Sequence, residues 1–356
     1  MKSGGSDVII GNPPYVEYSK VKKEYTVHGY STESCGHLYA FVIERCFVIL
    51  RIRGLFGMIV QLPIVCTDRM QPLQRWFLEA SSSPWFANFD DRPAKLFDGL
   101  QHIRASIFTT QKGDAKAVTV YSTSYNRWYS ETRNVLFGLL CFESVGDYLM
   151  SGAIPKIGQH IAKLVRIRIG QCTSLGRHLK PTSKHTIFFH NSPQYWIRAM
   201  TFVPYFWNER HGEQLSTQVQ VLYASDKLDA SATVASLNSS LFYWWFIALS
   251  DCRHVNLREI ESLPLGLDRM SERTKSRLEE LVTELMKDYK KHAVRKETEY
   301  KTTGKVIYDE FYPSYSKPII DEIDCVLAQH YGFTDEELDV IINYDIKYRM
   351  GRESEP

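Results

Sequence analysis

Asn12-Pro13-Pro14-Tyr15 directly follows the apolar run Val8-Ile9-Ile10 and Gly11, and side chains of these types, in this order, suit one particular task. The exocyclic amine of a nucleobase is a poor nucleophile because its lone pair is delocalised into the ring. It improves when both N–H groups are held by acceptors that favour a pyramidal nitrogen. The Asn12 side-chain oxygen is one such acceptor, and a neighbouring proline carbonyl is a second. The two prolines stiffen the backbone, so that both acceptors are in position before reaction. A base inside a duplex is out of reach and must be swung out, and the face of Tyr15 could then stack on it. The plain alternative for the same four residues is a stiff turn, so their context has to decide.

The context is a strand and the elements after it. Asp7 to Ile10 reads as a parallel strand covered on both faces. Pro13 and Pro14 stop both ladder and helix, which makes the motif a loop at a strand's carboxyl end. In open α/β sheets that is where ligands bind. Gly36 to Arg51 has helical periodicity. Arg53-Gly54 reads as a turn into a second buried strand, Leu55 to Val60. A short helix is expected near Leu73 to Glu79, then strands at Phe86–Phe89 and Ile103–Thr109. This alternation predicts an α/β sheet, and about half of one, since no element is read before Asp7.

Beyond Val120 the periodicity decays. Short strands are expected at Thr186–His190 and Val219–Tyr223, and a helix at Val234–Leu249. Ser271–Lys291 is a charged amphipathic helix with a stripe of Leu278, Leu281, Val282 and Leu285, followed by a polar stretch to Thr303. Pro318–Tyr331 and Asp335–Tyr344 read as two helices broken at Gly332, the second capped by Thr334 with Glu337 at the capping-box position.

Asp7 to Tyr15 resembles motif IV of the amino-methyltransferases. By that resemblance Asn12 favours adenine over cytosine-N4, and no Pro-Cys pair is present for the cytosine-C5 class, so methyl transfer should be direct. Protein-glutamine and RNA guanine-N2 methyltransferases share the motif. Asp91-Arg92-Pro93-Ala94-Lys95-Leu96-Phe97 and Arg104-Ala105-Ser106-Ile107-Phe108 resemble the late strands of TaqI-like and type IIG restriction–modification enzymes. There Phe97 matches the aromatic that packs on the flipped base opposite Tyr15; the commoner fate of such a phenylalanine is core.

Ser236-Leu237-Asn238-Ser239-Ser240, Asp251 to Asn256 and Glu261-Ser262-Leu263-Pro264 resemble the TaqI-like target-recognition domain. Lys317 to Asp324 and Tyr344 to Arg349 look like the carboxyl end of the same enzymes. Arg253, His254, Asn256 and Arg258 are therefore the candidate DNA contacts, being residue types that fork onto guanine, read adenine or neutralise phosphate. The bland reading of each basic residue is a solvated charge. The aromatic run Phe242 to Phe246 fits a packed core helix better than a stacking surface.

Composition limits the rest. The chain has 356 residues, a formal charge of +2 and 44% hydrophobic residues, enough for folded cores but no global basic signature. Its seven cysteines form no CxxC pair, so neither a metal site nor a disulfide framework is expected. No apolar run is long enough for a membrane helix, and a cytoplasmic location is expected.

The resemblance implies S-adenosylmethionine as methyl donor, on a glycine-rich loop and an acidic strand end upstream of the motif. No cofactor-binding residue is assigned here, and a front half of the methyltransferase is expected as a partner, with double-stranded DNA carrying a flipped adenine as substrate. The expected organisation is α/β: the C-terminal half of a class I, Rossmann-like methyltransferase sheet over residues 1–123, a mixed α+β target-recognition domain over 124–303, and a helical tail over 304–356. The expected function is site-specific adenine-N6 methylation by the complete enzyme, with this chain inactive alone. The alternative is a non-catalytic DNA-recognition remnant or specificity subunit.

Overall fold

The computed structural model describes residues 5–97, 99, 102–113, 119–301 and 304–351. The expected boundary at Thr303 lies outside them. The chain forms two compact units, one of residues up to Lys163 together with Ile247–Asp251, the other of Leu164–Phe246 and the residues from Cys252 onward.

The first unit is built on a six-stranded sheet. Its strands are β1 (Ser6–Gly11), β2 (Leu50–Gln61), β3 (Trp85–Phe89), β4 (Ala105–Gln111), β5 (Tyr121–Asn126) and β6 (Phe142–Ser144), in the order β1-β2-β4-β3-β5-β6. β1 and β2 are parallel, β4 is antiparallel to both β2 and β3, and β3 is parallel to β5. Four strands therefore run one way, with β4 and β6 reversed.

The helices α1 (Tyr18–Val21), α2 (Leu38–Ile49) and α3 (Gln71–Ala80) lie between them in the chain. Alternation along β2 sends Phe56, Met58 and Val60 into a buried face. There Phe47 of α2 meets Phe56 at 5.1 Å between ring centroids, and Phe77 of α3 meets Phe108 of β4 at 4.7 Å, both edge to face. Glu44 is the polar exception inside α2. Its carboxylate accepts from the Ser31 and Thr32 amides and the Thr32 hydroxyl, which satisfies it in burial.

Three expectations change here. β1 is a parallel strand, but it is the edge of the sheet and is not covered: Val8 is 56% and Ile10 80% exposed. Arg53-Gly54 is a bulge inside β2, not a turn before it. Arg53 takes a left-handed φ of 65°, and the register with β1 jumps from Ser6–Leu50 to Val8–Leu55. The sheet also continues past the expected boundary at Thr123, which falls inside β5, and the compact unit runs to Lys163.

The helix α4 (His160–Ile169) comes next. In the second unit β7 (His185–His190) pairs with β8 (Ala199–Met200), and β11 (Val219–Ala224) pairs antiparallel with β7. A second sheet has β9 (Phe206–Asn208), β10 (Gly212–Glu213), β12 (Val294–Tyr300) and β13 (Gly304–Glu310) in the order β10-β9-β13-β12.

The helices are α5 (Lys227–Asn238), α6 (Ser240–Leu249), α7 (Leu257–Glu261), α8 (Glu272–His292), α9 (Lys317–Tyr331), α10 (Asp335–Ile342) and α11 (Ile346–Arg349). Val234–Leu249 is thus two helices meeting at Ser239. Phe242 to Phe246 are all at most 1% exposed, a core helix. Thr334 and Glu337 form the capping box of α10 after left-handed Gly332. The expected polar stretch and helical tail are corrected: residues 294–300 and 304–310 form the β12–β13 hairpin, and the tail's helices pack in the same compact unit. Among the described residues no helix is long and apolar enough to cross a membrane.

Candidate functional site

The carboxyl ends of β1, β2, β3 and β5 share one edge of the sheet, because those four strands run in the same direction. Asn12-Pro13-Pro14-Tyr15 leaves β1 at that edge as an irregular loop. Pro13 is buried, Asn12 and Pro14 are exposed, and Tyr15 is partly buried.

The Tyr15 hydroxyl donates to the Ile59 carbonyl of β2 at 3.0 Å. Burial pushes its pKa up to about 12, so the phenol remains a proton donor and the ring is tied to the neighbouring strand. The loop's exit is fixed as well. Leu38 N–H donates to Val16 O at 3.0 Å, and Glu17 bridges to His37. Arg69 reaches both Glu17, at 3.4 Å, and the Gly36 carbonyl, at 3.1 Å. Burial, and then the Arg69 charge, hold His37 below the usual imidazole pKa.

Further along the same edge, Asp90 and Asp91 come directly after β3. Arg127 Nε contacts Asp90 at 2.7 Å, and Arg104 Nε lies 3.5 Å from both carboxylates. Burial alone would raise the Asp90 pKa, but Arg127 and Arg104 outweigh it and the group is held below the usual range. Asp91 is shifted up, by burial and by its hydrogen bond and charge repulsion with Asp90. Asp90 and Arg127 are not anticipated from sequence. The only signal is an acidic pair directly after a strand.

Phe97 is partly buried and packs against the cluster of Ala87, Phe89, Leu96, Ala105 and Trp128 on one face of the sheet, which Ile59 also borders. The backbone before it is held by Arg133, which donates to Lys95 O at 3.1 Å and Leu96 O at 2.5 Å. Tyr15 and Phe97 are thus anchored on the same strand system, one through the Ile59 carbonyl and the other through the apolar cluster.

The second candidate segment is arranged differently. Arg253, His254 and Asn256 are exposed. Asn256 is the N-cap of α7, with Glu259 returning to the Asn256 amide at 2.9 Å in a capping box. Arg258 lies against Glu259, with Nε at 3.0 Å and Nη2 at 2.8 Å from Oε1. The structure therefore gives Asn256 and Arg258 local structural work.

The strings at 236–240, 317–324 and 344–349 meet at the start of α6. Asp324 accepts from the Ser240 and Leu241 amides at 3.1 and 3.2 Å. Buried Arg349 donates to Ser240 Oγ at 3.1 Å, with its guanidinium 3.9 Å from the Trp196 ring centroid. Asn238 accepts from Ala199 N–H and the Tyr289 hydroxyl and donates to Ala199 O and Val234 O. These residues form a buried lock. Among the described residues no group of His, Cys, Asp and Glu is arranged to hold a metal.

Residues 1–97 match the model of the Eco57I restriction-modification methylase. The resemblance to restriction–modification methyltransferases expected from the sequence is found in this match. No curated protein matches the chain.

Among solved structures, the Type IIL restriction-modification enzyme MmeI in complex with DNA is 10% identical with a TM-score of 0.51, covering 96% of this chain and 57% of that one. It shows a shared fold. The modification subunit of a putative type I restriction enzyme from Vibrio vulnificus YJ016 is 13% identical with a TM-score of 0.29, over 43% of this chain and 37% of that one. The type IIG restriction endonuclease BpuSI is 10% identical with a TM-score of 0.33, over 98% and 55%. In each case the chain spans well under two thirds of the other protein's length.

Proposed function

We propose that this chain supplies the base-holding half of a site-specific adenine-N6 DNA methyltransferase, together with its DNA-recognition region. The observation that carries the reading is the Asn12–Tyr15 loop. It sits at the carboxyl edge of a mixed α/β sheet, inside the segment that matches a methylase model, with Asn12 exposed and Tyr15 tethered to Ile59. In this reading Asn12 Oδ1 accepts one N–H of the target amine and the Pro13 carbonyl accepts the other. Both favour a pyramidal nitrogen. Tyr15 stacks on one face of the swung-out adenine and Phe97 bounds the other. Arg253 and His254 are the proposed DNA contacts, with Asn256 and Arg258 shaping the turn that presents them.

S-adenosylmethionine supplies the methyl group in such a reaction. The described residues do not fit it by themselves. The strand-to-helix connection after β1 is proline-rich, and no glycine-rich turn joins a strand to a helix among the described residues. We therefore assign the donor to a front half of the methyltransferase. The exposed edge of β1, with Val8 and Ile10 uncovered, supports a further strand pairing there, since an apolar edge of this kind invites one.

Reconstitution with such a half tests this. The assembled enzyme carrying Asn12→Ala should lose methylation while retaining DNA binding, and unchanged turnover would overturn the pocket assignment. A complex that binds DNA specifically but never methylates would instead support the non-catalytic specificity role.

A further inference from the structure

The second unit contains a cavity of about 770 Å³ between its two small sheets, within the size range of small-molecule sites. Phe188 of β7, Tyr308 of β13 and Tyr205, just before β9, contribute aromatic walls. Tyr205 is held in place: the Arg295 guanidinium lies 3.8 Å from its ring centroid and is itself paired with Asp309. Polar groups converge on the same space, among them Arg198, His190 and Gln218.

Arg198 is the informative residue. It lines the cavity, and among the described residues no carboxylate lies within ion-pairing distance of it. Burial pushes its pKa below the usual arginine value, only partly offset by Tyr289 and Glu310. Asp309 and Glu310 also line the cavity, but Asp309 pairs with Arg295, and Glu310 accepts from the Tyr312 hydroxyl and lies 3.5 Å from Lys296. Arg198 is partly buried, and a guanidinium drawn partly out of water without an ion-pair partner is costly. Its planar fork matches a phosphate.

His190 adds no second charge, because burial holds its pKa down to about 4. Its Nδ1 accepts from Ser192 N–H at 3.3 Å, so Nε2 carries the proton and can donate. Among the described lining residues Arg198 is the one cation not already paired with a carboxylate, and beside stacking surfaces and edge-reading polar groups that is the chemistry of a nucleotide site.

We propose that this cavity binds a nucleotide, with its phosphate on Arg198 and its base against the aromatic wall of Phe188, Tyr205 and Tyr308. The nucleotide could be free or part of an unstacked strand, and both present the same chemistry. None of the residues that line the cavity belongs to the Asn12–Tyr15 loop proposed for methyl transfer.

Calorimetry on the full chain, in its reconstituted complex if required for solubility, tests it. The probes are the four deoxynucleoside 5′-monophosphates, the matching nucleosides, inorganic phosphate and a short single-stranded oligonucleotide. At least one monophosphate or the oligonucleotide should bind. Removing the phosphate or introducing Arg198→Met should weaken it at least tenfold, and Tyr308→Ala should weaken the nucleotide but not inorganic phosphate. Arg198→Lys, which keeps the charge and loses the fork, should fall between, and guards against a folding defect in the methionine variant. Monophosphate binding that the oligonucleotide does not match identifies a free ligand, and the reverse identifies a strand-borne one. No binding of either, phosphate binding as tightly as nucleotide, or indifference to both Arg198 variants overturns the proposal.

Discussion

The Asn12–Tyr15 loop and the Arg253–Arg258 segment each contain an asparagine, yet the chain uses the two differently. In the first, the anchoring falls to Tyr15, through Ile59, and to Arg69 at the loop's exit, while Asn12 stays exposed. In the second, Asn256 caps α7 and Arg258 is held on Glu259. A recognition-type side chain is therefore informative only after the demands of its own backbone have been met. An asparagine at a helix start satisfies orphan amides first. One after a strand, ahead of two prolines, has no such duty.

The largest effect that could break this contrast is on catalysis. Asn12→Ala in the reconstituted enzyme should lower the methylation rate by roughly 10²–10³, by analogy with the loss of a preorganised hydrogen-bonding group at a reacting centre. Asn256→Ala should not change the single-turnover rate with DNA saturating. If the two variants lose rate equally, the distinction between an exposed and an engaged asparagine fails. A single-turnover assay alongside DNA-binding measurements separates the outcomes.

The contrast extends to a buried carboxylate in each unit. Asp90, against Arg127 and Arg104, is held charged. Asp324, at the start of α6, is pushed up to about 6 by burial, against the opposing hydrogen bonds from Ser240 and Leu241. The ordinary aspartate value is about 3.9, so the folded state binds the extra proton between roughly pH 4 and 6. The stabilising contribution of Asp324 is then full below about pH 4 and is lost as pH rises through 6. The difference is about 3 kcal/mol at about 1.4 kcal/mol per pH unit. Urea midpoints of the wild type and Asp324→Asn across this range should therefore diverge towards low pH, with wild type relatively more stable there. Parallel curves would mean that Asp324 does not titrate in that window.

A smaller test concerns the cap itself. Asn256→Ala should cost about 1 kcal/mol of stability, as N-cap deletions do, and Glu259→Gln less, because the amide retains an acceptor for the Asn256 N–H. A null result for Asn256→Ala in thermal or urea unfolding would free that residue for a DNA contact.

The same cases separate local from long-range information. The position of the Asn12 loop after a strand is legible in the sequence, because apolar continuity and paired prolines are local signals. The exposure of β1 is not, because coverage of an edge depends on neighbours in space. The Arg53-Gly54 bulge looks like a turn, since both need a left-handed residue. β12 is hidden by its sequence, Val-Arg-Lys-Glu-Thr-Glu-Tyr, which has no apolar face and is largely exposed. The cap at Asn256 is readable in principle: Asn256-Leu-Arg-Glu259 has the same cap-to-N3 spacing as Thr334 and Glu337. The shared role of Asn238, Asp324 and Arg349 at α6 requires long-range contacts that no local pattern encodes.

The mildest effect sharpens the contrast within the second segment. If Arg253 meets phosphate and Arg258 holds the turn, the two arginines should respond differently to salt. Neutralising one phosphate contact reduces the magnitude of the slope of log K against log salt by about 1, and does so across DNA sequences. Arg253→Ala should show that change. Arg258→Ala should leave the slope within error and instead lower the unfolding midpoint, because Glu259, 1% exposed as a side chain, would lose its charge partner. Binding isotherms at four or more salt concentrations, paired with urea unfolding of each variant, read both quantities. Equal slopes for wild type and Arg253→Ala would remove Arg253 from the interface, and a slope change confined to Arg258→Ala would reverse the assignment of the two.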